Sequence, residues 1–234
     1  MGIVENLAWM RNFNQRFDEE VKLLYQKEPF WQTCLSCPDG HCCGHIVYPV
    51  FNRKGNPFLA EDWWMMLEYA RDNFNARDRK QLYQNIVSPR SACIFLFGSR
   101  CKIHPSRPWT CRFYPYSISF HINRGRFPIG EIALPSCPAY APKFGIRTDD
   151  TFVQKPQVLL RDETNDKLIQ VKLRKRKPLW ILDASDYVRE YEDMVINREK
   201  VMPPWDDLFE LAAEAGGTEC SVLPYYVNKV IFPS

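Results

Sequence analysis

The stretch CLSCPDGHCCGH, residues 34–45, packs four cysteines and two histidines into twelve positions, and two of the cysteines, Cys42 and Cys43, are adjacent. Cys34-Leu-Ser-Cys37 has the CxxC spacing that lets two thiolates on one tight turn reach a single metal ion or two corners of a cluster. Adjacent side chains in extended backbone point to opposite faces. Cys42 and Cys43 can therefore serve two metal atoms, two clusters, or one cluster wrapped by an irregular loop. Gly40 and Gly44 bracket the pair and give the backbone the freedom such a loop needs.

The remaining thiols lie downstream. Cys93, Cys101, Cys111 and Cys137 fall in a segment, 88–142, that also carries eight prolines and many aromatic residues. Proline density leaves little room there for a long helix, so the segment needs an organiser other than a backbone ladder. Eight of the nine cysteines lie between positions 34 and 137, and Cys220 stands apart. Eight thiols suffice for two four-ligand sites, or for one site with further functional cysteines. Buried spectator thiols would be scattered; a CxxC followed by an adjacent pair is not.

Composition sets the class. The chain of 234 residues is 45% hydrophobic and 14% aromatic, so it can bury a core without disulfides. A net charge of +3 gives no general argument for nucleic acid or an anionic membrane. The amino terminus MGIVENLAWMRNFNQRFDEE has no continuous apolar run, which argues against a secretory signal or a membrane span. A cytoplasmic location is the expectation. There, a cysteine framework means metal or redox chemistry more often than structural disulfides.

Around this centre the chain reads as follows. Ile3, Leu7, Met10, Phe17, Val21 and Leu24 recur at helical spacing and predict an amphipathic helix over 3–27, with Asn14 interrupting the stripe and Pro29 ending it. A short strand is expected over 45–51. A second helix is expected from about 60 to 74, with Trp63, Met66, Leu67, Ala70 and Phe74 on one face. Short strands are expected around 93–97 and 116–122. Beyond about residue 150, Leu168-Ile-Gln-Val-Lys-Leu-Arg-Lys-Arg-Lys177 alternates like a strand. Its basic run reads as a solvated strand face rather than a grip on a phosphate backbone. Helical patterns follow near 185–199 and 204–215, then a last strand over 221–232.

A family resemblance rests on particular residues. The run Cys-x-x-Cys-x4-Cys-Cys, followed by Cys101-x-Ile-His-x-x-Arg-Pro-x-x-Cys-Arg-x-Tyr-Pro115, resembles the signature of the CxxCxxCC (YkgJ-type) cysteine-cluster family of zinc- or iron-chelating domains, which is related to flagellin lysine N-methylases. The resemblance covers roughly residues 31–142. It implies as metal ligands Cys34, Cys37, Cys42, Cys43, Cys93, Cys101, Cys111 and Cys137.

Thiolate serves both metals. The supply of cysteine, the two Cys-Pro pairs at 37–38 and 137–138, and the aromatic surroundings favour an iron–sulfur cluster, one or two of the 4Fe-4S type. Zinc is the alternative, because His41, His45 and His104 lie close to cysteines and mixed Cys/His zinc sites are common. His104, Arg107 and Arg112 are read as supporting residues. The histidine would hydrogen-bond a ligand sulfur or a carbonyl, and the guanidinium groups would offset a cluster's negative charge.

The expected fold is α+β: an amino-terminal helix on a loop-rich, metal-organised cysteine core with short antiparallel strands, in residues 1–149, then a smaller α/β tail in 150–234. The expected function is an iron–sulfur protein serving electron transfer, or metal-dependent modification or maturation of a partner protein. Alternatives are a structural zinc-binding interaction domain, or a protein-lysine methylase. The last would take S-adenosylmethionine, for which no Gly-rich strand–turn–helix is present. A protein partner is expected, and nucleic acid is not.

Overall fold

The computed structural model describes residues 2–29, 31–32, 59–87, 93–113, 117–118, 132–134, 152–154, 157–172, 177–198, 204, 207 and 210–211. The expected strands at 45–51 and 221–232 lie outside these residues, as does the expected boundary at 149–150. The described residues within 1–10, 38–111 and 199–234 form one compact unit, and those within 11–37 and 112–198 form a second. The class is α+β, with short strands between helices.

Helix α1, Ile3–Lys27, runs as its periodicity predicts. Its stripe is buried: Leu7, Met10, Phe17, Val21 and Leu24 are joined by Phe13, with Asn6 and Asn14 buried among them. Asn14 therefore sits within the buried face instead of breaking it.

In the first unit, α2, Ala60–Asn73, buries Trp63, Met66, Leu67 and Ala70, and Phe74 follows them into the core. Helix α3, Ala76–Val87, starts where the Asn75 side chain accepts the Asp78 amide at 3.0 Å, satisfying a donor that the first helical turn leaves over. Strands β1, Leu96–Phe97, and β2, Arg100–Cys101, make a two-residue antiparallel ladder. The tight reversal between them places Gly98 at φ +64°, which side chains rarely adopt. Leu82 and Ile86 of α3, with Ile94, Phe95, Ile103 and Leu211, close the same apolar cluster as the buried face of α2.

In the second unit, β3 (Ser117–Ile118), β8 (Leu179–Asp183), β7 (Leu168–Lys172) and β6 (Gln157–Arg161) lie in that order in one sheet, and β4 (Ile132–Leu134) pairs with β5 (Phe152–Gln154). The β6–β7, β7–β8 and β4–β5 ladders are antiparallel; β3 joins β8 in parallel over two residues. Ile169 and Val171 are fully buried, as their alternation predicts. Helix α5, Ser185–Asn197, follows β8. Its Tyr187 meets Phe13 and Phe17 edge-on at 5.5 and 5.2 Å between ring centroids.

Charged groups on α1 fasten the rest of this unit. Arg16 pairs with Glu190, Lys27 with Asp162, and Glu20 accepts from Asn165. Trp31 donates its indole N–H to the Trp180 carbonyl at 2.8 Å. Asp162 is held well below the ordinary carboxylate value by the hydrogen bond from Lys27 and a second from Thr164. Burial pushes the Tyr187 phenol up, reinforced by the nearby Glu20 charge.

Candidate metal centre

Three of the eight implied ligands fall within the described residues, all with half-buried side chains: Cys93, Cys101 and Cys111. Cys34, Cys37, Cys42, Cys43 and Cys137 lie outside them, as do His41 and His45. Among the described residues, no three His, Cys, Asp or Glu side chains come together as a metal-holding group.

The local structure around Cys93 and Cys101 follows from a few polar bonds. The Cys93 carbonyl accepts the Leu96 amide at 3.0 Å, starting a turn into β1. Cys101 ends β2 directly across from Leu96. Both thiols border the apolar cluster that contains Trp63, Phe74 and Phe95. From beneath, Asn85 of α3 donates to the carbonyls of Ile94 at 2.7 Å and Leu96 at 3.2 Å, and its own oxygen takes the Gln81 amide at 2.9 Å. Asn85 is 2% exposed, so these bonds replace water for two backbone carbonyls that the short ladder leaves over. Lys102 reaches Asp78 at 3.0 Å and ties the far end of the hairpin to α3.

Between Cys101 and Cys111 the chain makes a single 3-10 turn, His104–Ser106, then α4, Trp109–Phe113. The Ser106 hydroxyl donates to the Met65 carbonyl of α2 at 3.0 Å, and the Cys111 amide donates to the Pro108 carbonyl at 2.9 Å. Trp109 and Ile103 are buried. Cys111 is thereby carried on a helix of five residues.

The supporting residues have specific contacts. Arg107, itself buried, lies with its Nη1 at 2.7 Å from His104 Nε2. A guanidinium only donates, so His104 Nε2 is the acceptor and the ring proton sits on Nδ1. That commits Nε2 to the arginine. Arg112 is buried and pairs with Asp18 on α1, so its charge is shared with a carboxylate.

Sequence reasoning gave no structural role to two further features. Glu61 and Asp62 in the first turn of α2 are both fully buried. Glu61 accepts from the Asn6 amide at 2.9 Å, and Asp62 reaches back to the Leu59 amide at 3.0 Å. An acid three residues after the helix entry is the signal that marks Asp62 as a cap. Asn85 has no comparable signal, because its task is defined by carbonyls that are 9 and 11 residues away.

Among the described residues, Cys93 and Cys101 lie in a short, side-chain-fastened hairpin region beside an aromatic cluster, and thiolate is a donor that both zinc and iron accept. Residues 33–140 match the model of the CxxCxxCC family, described as a "Putative zinc- or iron-chelating domain". The family's name spells two residues between the second cysteine and the adjacent pair; here Pro38-Asp39-Gly40-His41 makes four. No curated protein and no solved structure matches the chain. No helix among the described residues is long and apolar enough to cross a membrane.

Proposed function

We propose that the chain is an iron–sulfur protein, holding a 4Fe-4S cluster through thiolates drawn from Cys34, Cys37, Cys42, Cys43, Cys93, Cys101, Cys111 and Cys137. It would serve electron transfer, or the modification or maturation of a partner protein, in the cytoplasm and without nucleic acid. The observation that carries this reading is the thiol constellation within residues 33–140, the span that matches a zinc- or iron-chelating family. The described part fits it in kind. Cys93, Cys101 and Cys111 are half-buried beside or close in sequence to buried aromatic residues, a setting that limits water access and tunes a cluster. A bound cluster supplies one-electron chemistry at a potential set by its charge, hydrogen bonds and exposure.

The protein's own residues do the rest. Asn85 fixes the backbone between Cys93 and Cys101, and Ser106 anchors the turn that leads to Cys111. Arg107 keeps a positive charge at low exposure close to these thiols in sequence, and His104 orients it. The commitment of His104 Nε2 to Arg107 also weighs against a mixed Cys/His zinc site using that nitrogen.

Anaerobic purification, with iron, sulfide and zinc measured per chain, tests the reading. Iron with matching sulfide supports it. Zinc without sulfide, where iron was supplied, transfers the protein to the structural zinc class and removes the argument for electron transfer.

A further inference from the structure

We infer that the open edge of the second unit's sheet is a self-association surface that pairs with a second copy of this chain. Strand β6 is the last strand of the described sheet on that side, and all five of its residues are solvent-exposed. Three of them are large and apolar: Val158 and Leu160 are each 46% exposed and Leu159 is 40% exposed. Edge strands present unpaired N–H and C=O groups, which proteins commonly blunt with charge or proline. The centre of β6 carries neither.

The occupant follows from charge. The β6–β7 hairpin has two ends of opposite sign. At its turn Glu163 and Asp166 face solvent, while Asp162 is committed to Lys27 and Lys167 to Glu20. At its open end stands exposed Lys172, opposite Gln157, and the sequence continues through Arg174, Lys175 and Arg176 to exposed Lys177.

A two-fold axis through Leu159 pairs two β6 strands in antiparallel fashion. It sets Val158 against Leu160, Leu159 against its own counterpart, and Gln157 against Arg161. Arg161 is already occupied by Asp183 at 3.4 Å and the Asp166 carbonyl at 2.7 Å, so it brings no bare charge to the axis. The same axis lays the acidic turn of each copy beside the basic end of the other, about one to two strand spacings away, ~5–10 Å. Such a contact is self-complementary and closes on two copies. The register shift between Val158 and Leu160 is an irregularity that disfavours a flat partner strand. A second copy brings the same irregularity across the axis.

The test is sedimentation equilibrium on the full, metal-loaded chain, and it does not depend on which metal is bound. The exposed strip is small, so the dimer is expected to be weak, with a dissociation constant of about 0.1 mM. Leu159→Lys, at an exposed position, is expected to raise that constant at least about tenfold with the monomer's melting unchanged. Lys172→Glu is expected to weaken the dimer, and adding Glu163→Lys to that variant is expected to restore it, because the two charges face each other only across the axis. A chain that stays monomeric at about ten times that concentration overturns the inference. So does a dimer that Leu159→Lys leaves intact, or a double charge reversal that fails to rescue.

Discussion

The region from Cys93 to Phe113 and the sheet formed by β6, β7 and β8 reach order by different means. The sheet has strands of five residues, ladders that run their length apart from the register shift between Val158 and Leu160, and a buried face at Ile169, Val171, Ile181 and Leu182. Apart from the outer edge of β6, its backbone groups satisfy one another, and α1 adds charged clamps at the β6–β7 turn. The thiol-bearing region has two strands of two residues, one 3-10 turn and a five-residue helix. Its backbone leans on side chains: Asn85 under the Cys93 turn, Lys102 on Asp78, and Ser106 on α2. Where the ladder is too short to carry the chain, individual side chains carry it, and on the proposed reading so does the metal.

Removing a proposed ligand is expected to have the largest effect. Cys111→Ala, and equally Cys37→Ala, should lower metal content at least about tenfold and reduce soluble yield with it. Metal analysis of the soluble fraction reads both. A well-folded, metal-free variant would break the comparison, because that region would then be holding itself together.

Asn85→Leu comes next. It strands the Ile94 and Leu96 carbonyls in a buried site and is expected to cost about 1–3 kcal/mol in urea unfolding. The variant is also expected to lose metal faster to a chelator, since the turn between Cys93 and Cys101 loosens. Unchanged stability would show that these carbonyls find other partners.

A smaller effect is expected at Gly98. A side chain there meets no atom within 4 Å, but the backbone angle of +64° is unfavourable to any L residue. Gly98→Ala should therefore cost about 1–2 kcal/mol through backbone conformation alone. An Asn at the same position should cost less, since Asn tolerates that conformation.

The smallest effect belongs to the sheet and shows only in acid. The Asp162 carboxyl has a folded-state value below its ordinary 3.8. The unfolded chain thus takes up this proton first as pH falls. The stabilisation is complete above that ordinary value and is lost as the pH drops below it. Unfolding of Asp162→Asn, compared with the parent from about pH 5 to about pH 2, should lack this part of the decline. Parallel curves would mean that the Lys27–Asp162 pair contributes nothing to the sheet's turn.

Legibility in sequence followed the same division. The stripe of α1, the face of α2, the alternation at Ile169 and Val171, and helix α5 were all readable, because repeated burial leaves a period. Phe13 and Asn14 extend the α1 stripe beyond what the period alone marked. Helix α3 was not readable: apart from Leu82 and Ile86 its residues are mostly polar, and its start rests on one Asn75 cap. Strands β6 and β8 also escaped, since β6 is exposed on every residue and so shows no inward alternation. For the candidate centre, the cysteines were legible from spacing and from the family signature. Their supports, Asn85, Ser106 and Asp18, were not, because each acts on a group distant in sequence. The burial of Glu61 and Asp62 was likewise invisible, as charged residues in a first helical turn ordinarily face water.

The most direct measurement is hydrogen exchange, read peptide by peptide on the metal-loaded protein and again after chelation under anaerobic conditions. Amides over 93–113 are expected to lose protection when the metal is removed, while those over 157–172 and 179–183 keep theirs. Equal protection over 93–113 in both states would contradict this, because the turns bearing Cys93, Cys101 and Cys111 would then owe their order to the side chains alone.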